Sequence, residues 1–331
     1  MKKIRIIPII CIILLLSACS GNAEREVSFT AMDTVMTLRA CGTGKDEALA
    51  EAKSEIERLD DELDALNPAS PIARLNGNGS GTVSPDGARV ISAALDVSVR
   101  TDGAFDITIA PVMELWDFPG GGTVPDDGDI AAALEKVSYR NIRMEGEYVE
   151  LAEGSRIDLG GIAKGYAGDV FRTVMEKHGV RSAMAYLGGN VILVGAKPDG
   201  SLWRVAVQDP LDESGRIGVI SAGNCSIVTS GGYQRYFESG GRTYHHIIDP
   251  ETGRSADSGL ISVTVISSGG VEADGLSTAL FVMGEEKALE LWRESDDFEM
   301  ILVTEDRRVL VTGGIEFEEQ DGGYAYETVE R

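Results

Sequence analysis

Between Ala183 and Val265 the chain is a succession of short apolar or alternating runs, each closed by a cluster of Gly, Asp, Asn or Ser. Runs of this kind are strands of an antiparallel or mixed sheet. Helical patterns flank the block. Leu49, Ala52, Ile56, Leu59, Leu63 and Leu66 recur at spacings of three and four, which predicts one amphipathic helix ended by Asn67-Pro68. Val90 to Val99 and Ile162 to His178 carry two further helical patterns, and Gly270 to Met283 and Glu285 to Glu294 read as consecutive helices. Val27 to Ala40 reads as a strand pair or a bent strand. Ile301 to Thr304 and Arg308 to Val311 read as a hairpin, with the acidic tail as an edge. Asn76 to Gly81 reads as a loop, and Pro119 to Gly122 with Pro125 to Gly128 as a long connection. Strands gathered in one block with helices around them predict an α+β fold, not a doubly wound sheet. Neither a repeat nor a linker divides it, so residues 27–331 are expected to form a single large domain.

The first residues stand apart. Lys2, Lys3 and Arg5 precede an almost unbroken apolar run from Ile6 to Leu16, followed by Leu16-Ser17-Ala18-Cys19. The run is too short to span a bilayer as an ordinary helix, so residues 1–18 read as a signal peptide. Its ending resembles a bacterial lipobox, which makes Cys19 the expected lipidation site and residues 19–26 a polar tether. The expected location is the extracytoplasmic face of the cell membrane.

With 30 Lys and Arg against 54 Asp and Glu, the chain carries a formal charge of −24. That excludes a nucleic-acid binder, which needs a basic face. It also means that any anionic ligand must be met by a cation, by backbone N–H groups or by a helix N-terminus. The 40 glycines in 331 residues exceed the usual share of roughly 7%, so tight turns or close backbone approaches must be many. Cys41 and Cys225 are read as two free thiols in preference to a disulfide, and no CxxC is present.

Four segments place polar residues in apolar or Gly-rich surroundings, where burial without a partner is costly. Asp106 and Thr108 lie in GAFDITIAP from Gly103, as a site or as a satisfied turn. Asp158-Leu159-Gly160-Gly161 leads into a helix. Its free N–H groups and Lys164 suit a phosphate, although Asp158 could equally cap the helix. His245 and His246 are adjacent, so strand alternation turns them to opposite faces and makes shared chelation awkward. Asp274 and Thr278 are four apart on one helical face, an oxygen pair suited to Mg²⁺ or to a capped helix whose Thr bonds back to the backbone. His178 sits at a helix C-terminus as a dipole partner.

Taken together and in order, these segments are similar to the FAD:protein FMN transferases, the ApbE-type flavin transferases. The motifs are Met32-Asp33-Thr34, SPIARLN from Ser70, GAFDITIAPVMELWDF from Gly103 and DLGGIAKGYAGD from Asp158. LGGNVILVG from Leu187, TSGGYQRYF from Thr229, HHIIDPETG from His245 and ADGLSTALFVMG from Ala273 follow. The resemblance spans about Val27 to Gly314. It implies a Mg²⁺-dependent, often lipid-anchored enzyme that cleaves FAD, attaches FMN through a phosphoester to a Thr of an acceptor protein and releases AMP. The implied acceptors are flavoprotein subunits of membrane redox complexes. By position, Met32, Ala104, Phe105, Asp106, Asp158, Lys164 and Ile248 match flavin-nucleotide contacts. Gly161, Asp274 and Thr278 match the metal site, and His246 the histidine tied to activity. Asp33 stands where many members have Gly, and Pro71 where many have an acidic residue. Some members carry Ser or Thr at position 161, so Gly161 offers only its backbone. Two other readings stay open: an FAD pyrophosphatase giving free FMN and AMP, and a flavin-binding lipoprotein without turnover.

Overall fold

The computed structural model describes residues 24–331, so the leader and Cys19 lie outside the described residues. The chain enters as a hairpin, β1 (Arg25–Ala31) and β2 (Thr34–Cys41). Arg25 and Glu26, expected in the tether, are therefore already in the sheet. Met32 and Asp33 make the turn, both at positive φ (48° and 57°), the conformation a two-residue hairpin loop requires. α1 (Lys45–Leu63) buries Leu49, Ala52, Ile56, Leu59 and Leu63. Leu66 continues the spacing but is 74% exposed, because Asp64 turns extended and accepts the Leu66 N–H.

Part of the expected loop at Asn76 to Gly81 is helical: α2 (Pro71–Asn78) precedes β3 (Ser80–Thr82). Ser70 caps α2 by accepting the Ala73 N–H at 2.8 Å, a cap typically worth about 1 kcal/mol, and Pro71 fits the first helical position. α3 (Pro85–Arg100) and α4 (Ala110–Trp116) follow, then α5 (Asp127–Leu134), which starts at the end of the expected loose connection. β4 (Ile142–Glu145) and β5 (Tyr148–Leu151) join β3 in a small sheet. α6 (Ala163–Lys177) matches the third helical pattern.

The predicted strand block holds β6 (Ser182–Leu187), β7 (Asn190–Gly195), β8 (Trp203–Asp209), β9 (Asp212–Ala222), β10 (Ser226–Gly231), β11 (Tyr236–Ser239), β12 (Arg242–His245) and β13 (Leu260–Ser267). α7 (Gly270–Arg293) is two helices joined at Gly284, whose φ of 79° and ψ of 175° break the spiral, as the two consecutive patterns predicted. β14 (Phe298–Thr304) and β15 (Arg308–Thr312) form the expected hairpin, and β16 (Phe317–Glu319) and β17 (Ala325–Val329) end the chain.

Among the described residues the main sheet has nine strands in the order β1-β2-β6-β7-β10-β13-β14-β15-β17. Neighbours pair antiparallel except β15 with β17, so the acidic tail is an edge. The fold is α+β and forms one domain. Helices cover one face of the sheet, and the β16-β9-β8 sheet covers the other. β14 shows why its run is continuously apolar: Phe298, Met300 and Leu302 face the helices while Ile301 and Val303 face the second sheet. A satellite cluster under α4 and α5 contains Trp116, Ile130 and Ile248. No helix among the described residues is long and apolar enough to cross a membrane. Cys41 and Cys225 are both free.

Candidate functional site around the α6 and α7 N-termini

Two glycines decide where the site forms. A Cβ on Gly165 would lie 2.2 Å from the Gly270 carbonyl oxygen, and one on Gly270 would lie 2.4 Å from that of Gly165. α6 and α7 therefore cross backbone against backbone. Asp169 of α6 caps α7 by accepting the Gly270 and Val271 N–H groups at 2.7 and 2.9 Å. The crossing brings Asp274, 4% exposed, onto α6, where its Oδ2 accepts the Gly165 N–H at 2.7 Å. One donor that the sequence offered to a phosphate is thus occupied by a protein carboxylate. We expect Gly165→Ala to destabilise the fold by about 1–3 kcal/mol or more, the usual cost of overpacking, because the clash is with backbone. An unchanged thermal midpoint would contradict this.

Burial pushes the Asp274 carboxyl above its ordinary range, against the opposing pull of Lys164. Thr278 lies one turn on, half-buried, with its Oγ1 3.3 Å from Ser230 Oγ, which also meets Ser277 Oγ at 2.8 Å. A Cβ on Gly161 would lie 3.9 Å from Thr278 Oγ1 and 3.1 Å from the Phe105 ring. Gly161, Asp274 and Thr278 are therefore gathered as expected. Asp158 does not cap α6. Its Oδ1 accepts the Gly160 N–H at 2.7 Å and shapes the turn before the helix.

Lys164 links this group to the histidines. Its Nζ donates to Gly160 O at 3.2 Å, and its charge acts on both Asp274 and His246. His246 N and Nδ1 lie 3.0 and 3.2 Å from Arg235 O. The surrounding protein desolvates the imidazole and holds its pKa down to about 4, with Arg235 and Lys164 pushing the same way. His245 turns away: its Nε2 lies 3.0 Å from Ala256 O and its ring meets Phe281 edge-on at 5.4 Å. The two face different surroundings, as alternation suggested, and both are half-buried. His178 ends α6, and its Nε2 lies 2.7 Å from Glu51 Oε2.

The remaining expected residues form the surroundings. Phe105 is buried against Gly161, with half-buried Ala104 beside it. Asp106 accepts from Thr108 N and Oγ1 at 2.8 and 2.6 Å and from the distant Tyr139 N at 2.6 Å, so its carboxylate is satisfied by its own turn and by the segment at Tyr139. Burial nevertheless raises its pKa. Ile248 packs its side chain under Trp116. Met32 sits in the β1–β2 turn. There Thr34 abuts Gly188, and Gly189 in turn faces Gln234, next to Arg235. Ser230, Gly165, Asp169 and Arg235 also belong to these surroundings; all four lie within the motifs, but no local pattern marks them.

Cavities of about 340 Å³ and 760 Å³ lie elsewhere, beside Glu114 and Arg156 and along the β8–β9 hairpin. The chemistry of the donors, not depth, marks this site. Among the described residues no three His, Cys, Asp or Glu side chains gather. The Asp274 carboxylate, Thr278 hydroxyl and Gly161 carbonyl are all hard oxygen donors, and so few protein ligands leave positions for water or phosphate. The set fits Mg²⁺.

The family model described as the ApbE family matches residues 32–302. The chain belongs to the ApbE family. A Vibrio cholerae protein named FAD:protein FMN transferase is 33% identical over 294 residues, covering 84% of this chain and 87% of that one. A Treponema pallidum protein of the same name is 31% identical, covering 94% of each chain. The solved ApbE protein of Thermotoga maritima superposes with a TM-score of 0.81 at 30% identity, covering 90% of this chain and 97% of that one. The flavin transferase ApbE of Vibrio cholerae gives 0.77 at 27%, covering 90% and 96%.

Proposed function

We propose that this ApbE-family protein is an FAD:protein FMN transferase that uses Mg²⁺. The observation that carries the reading is the meeting of Asp274, Thr278, Gly161 and Lys164 at one helix crossing, with His246 within reach of the Lys164 charge. A protein with a net charge of −24 cannot hold a pyrophosphate without local positive charge, and phosphoryl transfer is mostly positioning and charge neutralisation. Asp274 and Thr278, with the Gly161 carbonyl, would hold the cation. Bound there, Mg²⁺ supplies charge neutralisation at the pyrophosphate. Lys164 binds the same anion from the first turn of α6. His246 is neutral at physiological pH and takes the proton from the attacking hydroxyl. That hydroxyl belongs to a Thr of the acceptor. Its oxygen forms a bond to the FMN phosphorus as the bond to the AMP phosphate breaks. Acceptors would be flavin-carrying subunits of membrane redox complexes.

Incubation with FAD, Mg²⁺ and a candidate acceptor tests the reading. Protein-bound FMN with AMP supports the transferase, free FMN with AMP means a pyrophosphatase, and intact FAD means a binder. The lipid anchor at Cys19 belongs to the same proposal, since it would hold the domain beside membrane-bound acceptors. Two acyl chains suffice for stable anchoring where one is marginal. Cys19→Ser protein should leave the membrane fraction and keep its turnover of FAD with a soluble acceptor. Variant protein that still pellets with membranes would refute the anchor.

A further inference from the structure

Asn190 opens β7 and is 1% exposed. Its cross-strand partners are Leu187 on β6 and Val228 on β10, both fully buried and apolar. Side chains directly opposite across a sheet share a face, so an amide here interrupts an apolar surface. The same face carries Ile192, which reaches α6: a Cβ on Gly168 would lie 2.5 Å from Ile192 Cδ1. Asn190 thus points into the layer where α6 and α7 cross.

Its amide nitrogen has no hydrogen-bond partner. A buried donor left unsatisfied costs about 1–3 kcal/mol, and an apolar side chain would pack there without that cost. What lies beside it is the Asp274 carboxylate, whose charged form the amide favours without completing a hydrogen bond to it. Asp274 Oδ2 already has the Gly165 N–H. A carboxylate held at one oxygen can still rotate about that contact, whereas a second fixed donor locks it. Partners of this kind orient metal ligands and tune their affinity.

We propose that Asn190 is a positioning residue for Asp274: its amide closes on the carboxylate when a divalent cation is bound and fixes the oxygen that faces the cation. The inference rests on the cation reading of the site.

Mn²⁺ binding to the full chain without FAD, followed by electron paramagnetic resonance, reads this apart from turnover. Asn190→Leu keeps the bulk and removes the amide. It should raise the Mn²⁺ dissociation constant about 10–100-fold, the usual effect of losing such a partner. The Mg²⁺ concentration for half-maximal FAD cleavage should rise by a similar factor. A folded Asn190→Leu protein that binds Mn²⁺ like wild type overturns the proposal, even if its kcat falls. Should that variant not fold, the smaller, polar Asn190→Ser decides by the same measurement: weaker Mn²⁺ binding supports the proposal and wild-type binding overturns it. Asp274→Ala is the control. If wild type binds Mn²⁺ no better than Asp274→Ala, the cation reading itself fails and this inference falls with it.

Discussion

Asp274→Asn protein is expected to lose FAD cleavage by about 10²–10⁴-fold, and added Mg²⁺ should not restore it. A bound cation contributes several kcal/mol of charge stabilisation, and each 1.36 kcal/mol is about tenfold in rate. Asn keeps the shape, and its carbonyl oxygen can still accept the Gly165 N–H that Asp274 Oδ2 accepts at 2.7 Å. The helix crossing should therefore survive, and only the charge is removed. Asp274→Ala should be at least as inactive, with a loss of stability added because the Gly165 N–H loses its acceptor. Initial rates of AMP release, with and without chelator, check both. Wild-type rates in excess chelator, or in Asp274→Asn, would sink the metal-site assignment.

Local signals carried much of the fold. The three-four spacing through α1 and the Gly284 break in α7 are properties of neighbouring residues, and so is the apolar run of β14. Errors arose where a local pattern was overruled nearby. Leu66 keeps the α1 spacing, yet the Asp64 side chain holds the chain extended two residues earlier. Asn76, Gly77 and Gly79 looked like a loop, but the Ser70-Pro71 start signal had enough weight to make α2 helical.

The site divides along the same line. Asp274 and Thr278 share a face at i and i+4, so their pairing was legible. The sequence around Asp106 suits a site or a satisfied turn equally, and three hydrogen bonds within the protein satisfy its carboxylate. The Gly165–Gly270 contact and the Asn190 amide join segments far apart in sequence, and no periodicity reports them. They come from backbone approach and from one polar residue between two apolar strands.

His246→Ala should reduce turnover by about 10²–10⁴-fold, the range for a positioned general base, while His245→Ala should cost far less. The two are adjacent but not equivalent. His246 lies within reach of the Lys164 charge and beside Arg235 O, whereas His245 packs on Phe281 and faces Ala256 O. Desolvation holds the His246 pKa down to about 4. A histidine so depressed is neutral at every pH above that value, so it can accept a proton well into the acid range. The His246-dependent fall in kcat/KM should therefore lie near pH 4, not near the ordinary histidine value of about 6.5. Burial also pushes the Asp274 carboxyl upward, so a second limb of the profile belongs to it. The limb belonging to His246 is the one that disappears in His246→Ala while that of Asp274 remains. Profiles of kcat/KM for wild type and both histidine variants settle it. A His246→Ala protein with wild-type turnover, or a His245→Ala protein more impaired than it, would reverse the assignment of the two histidines.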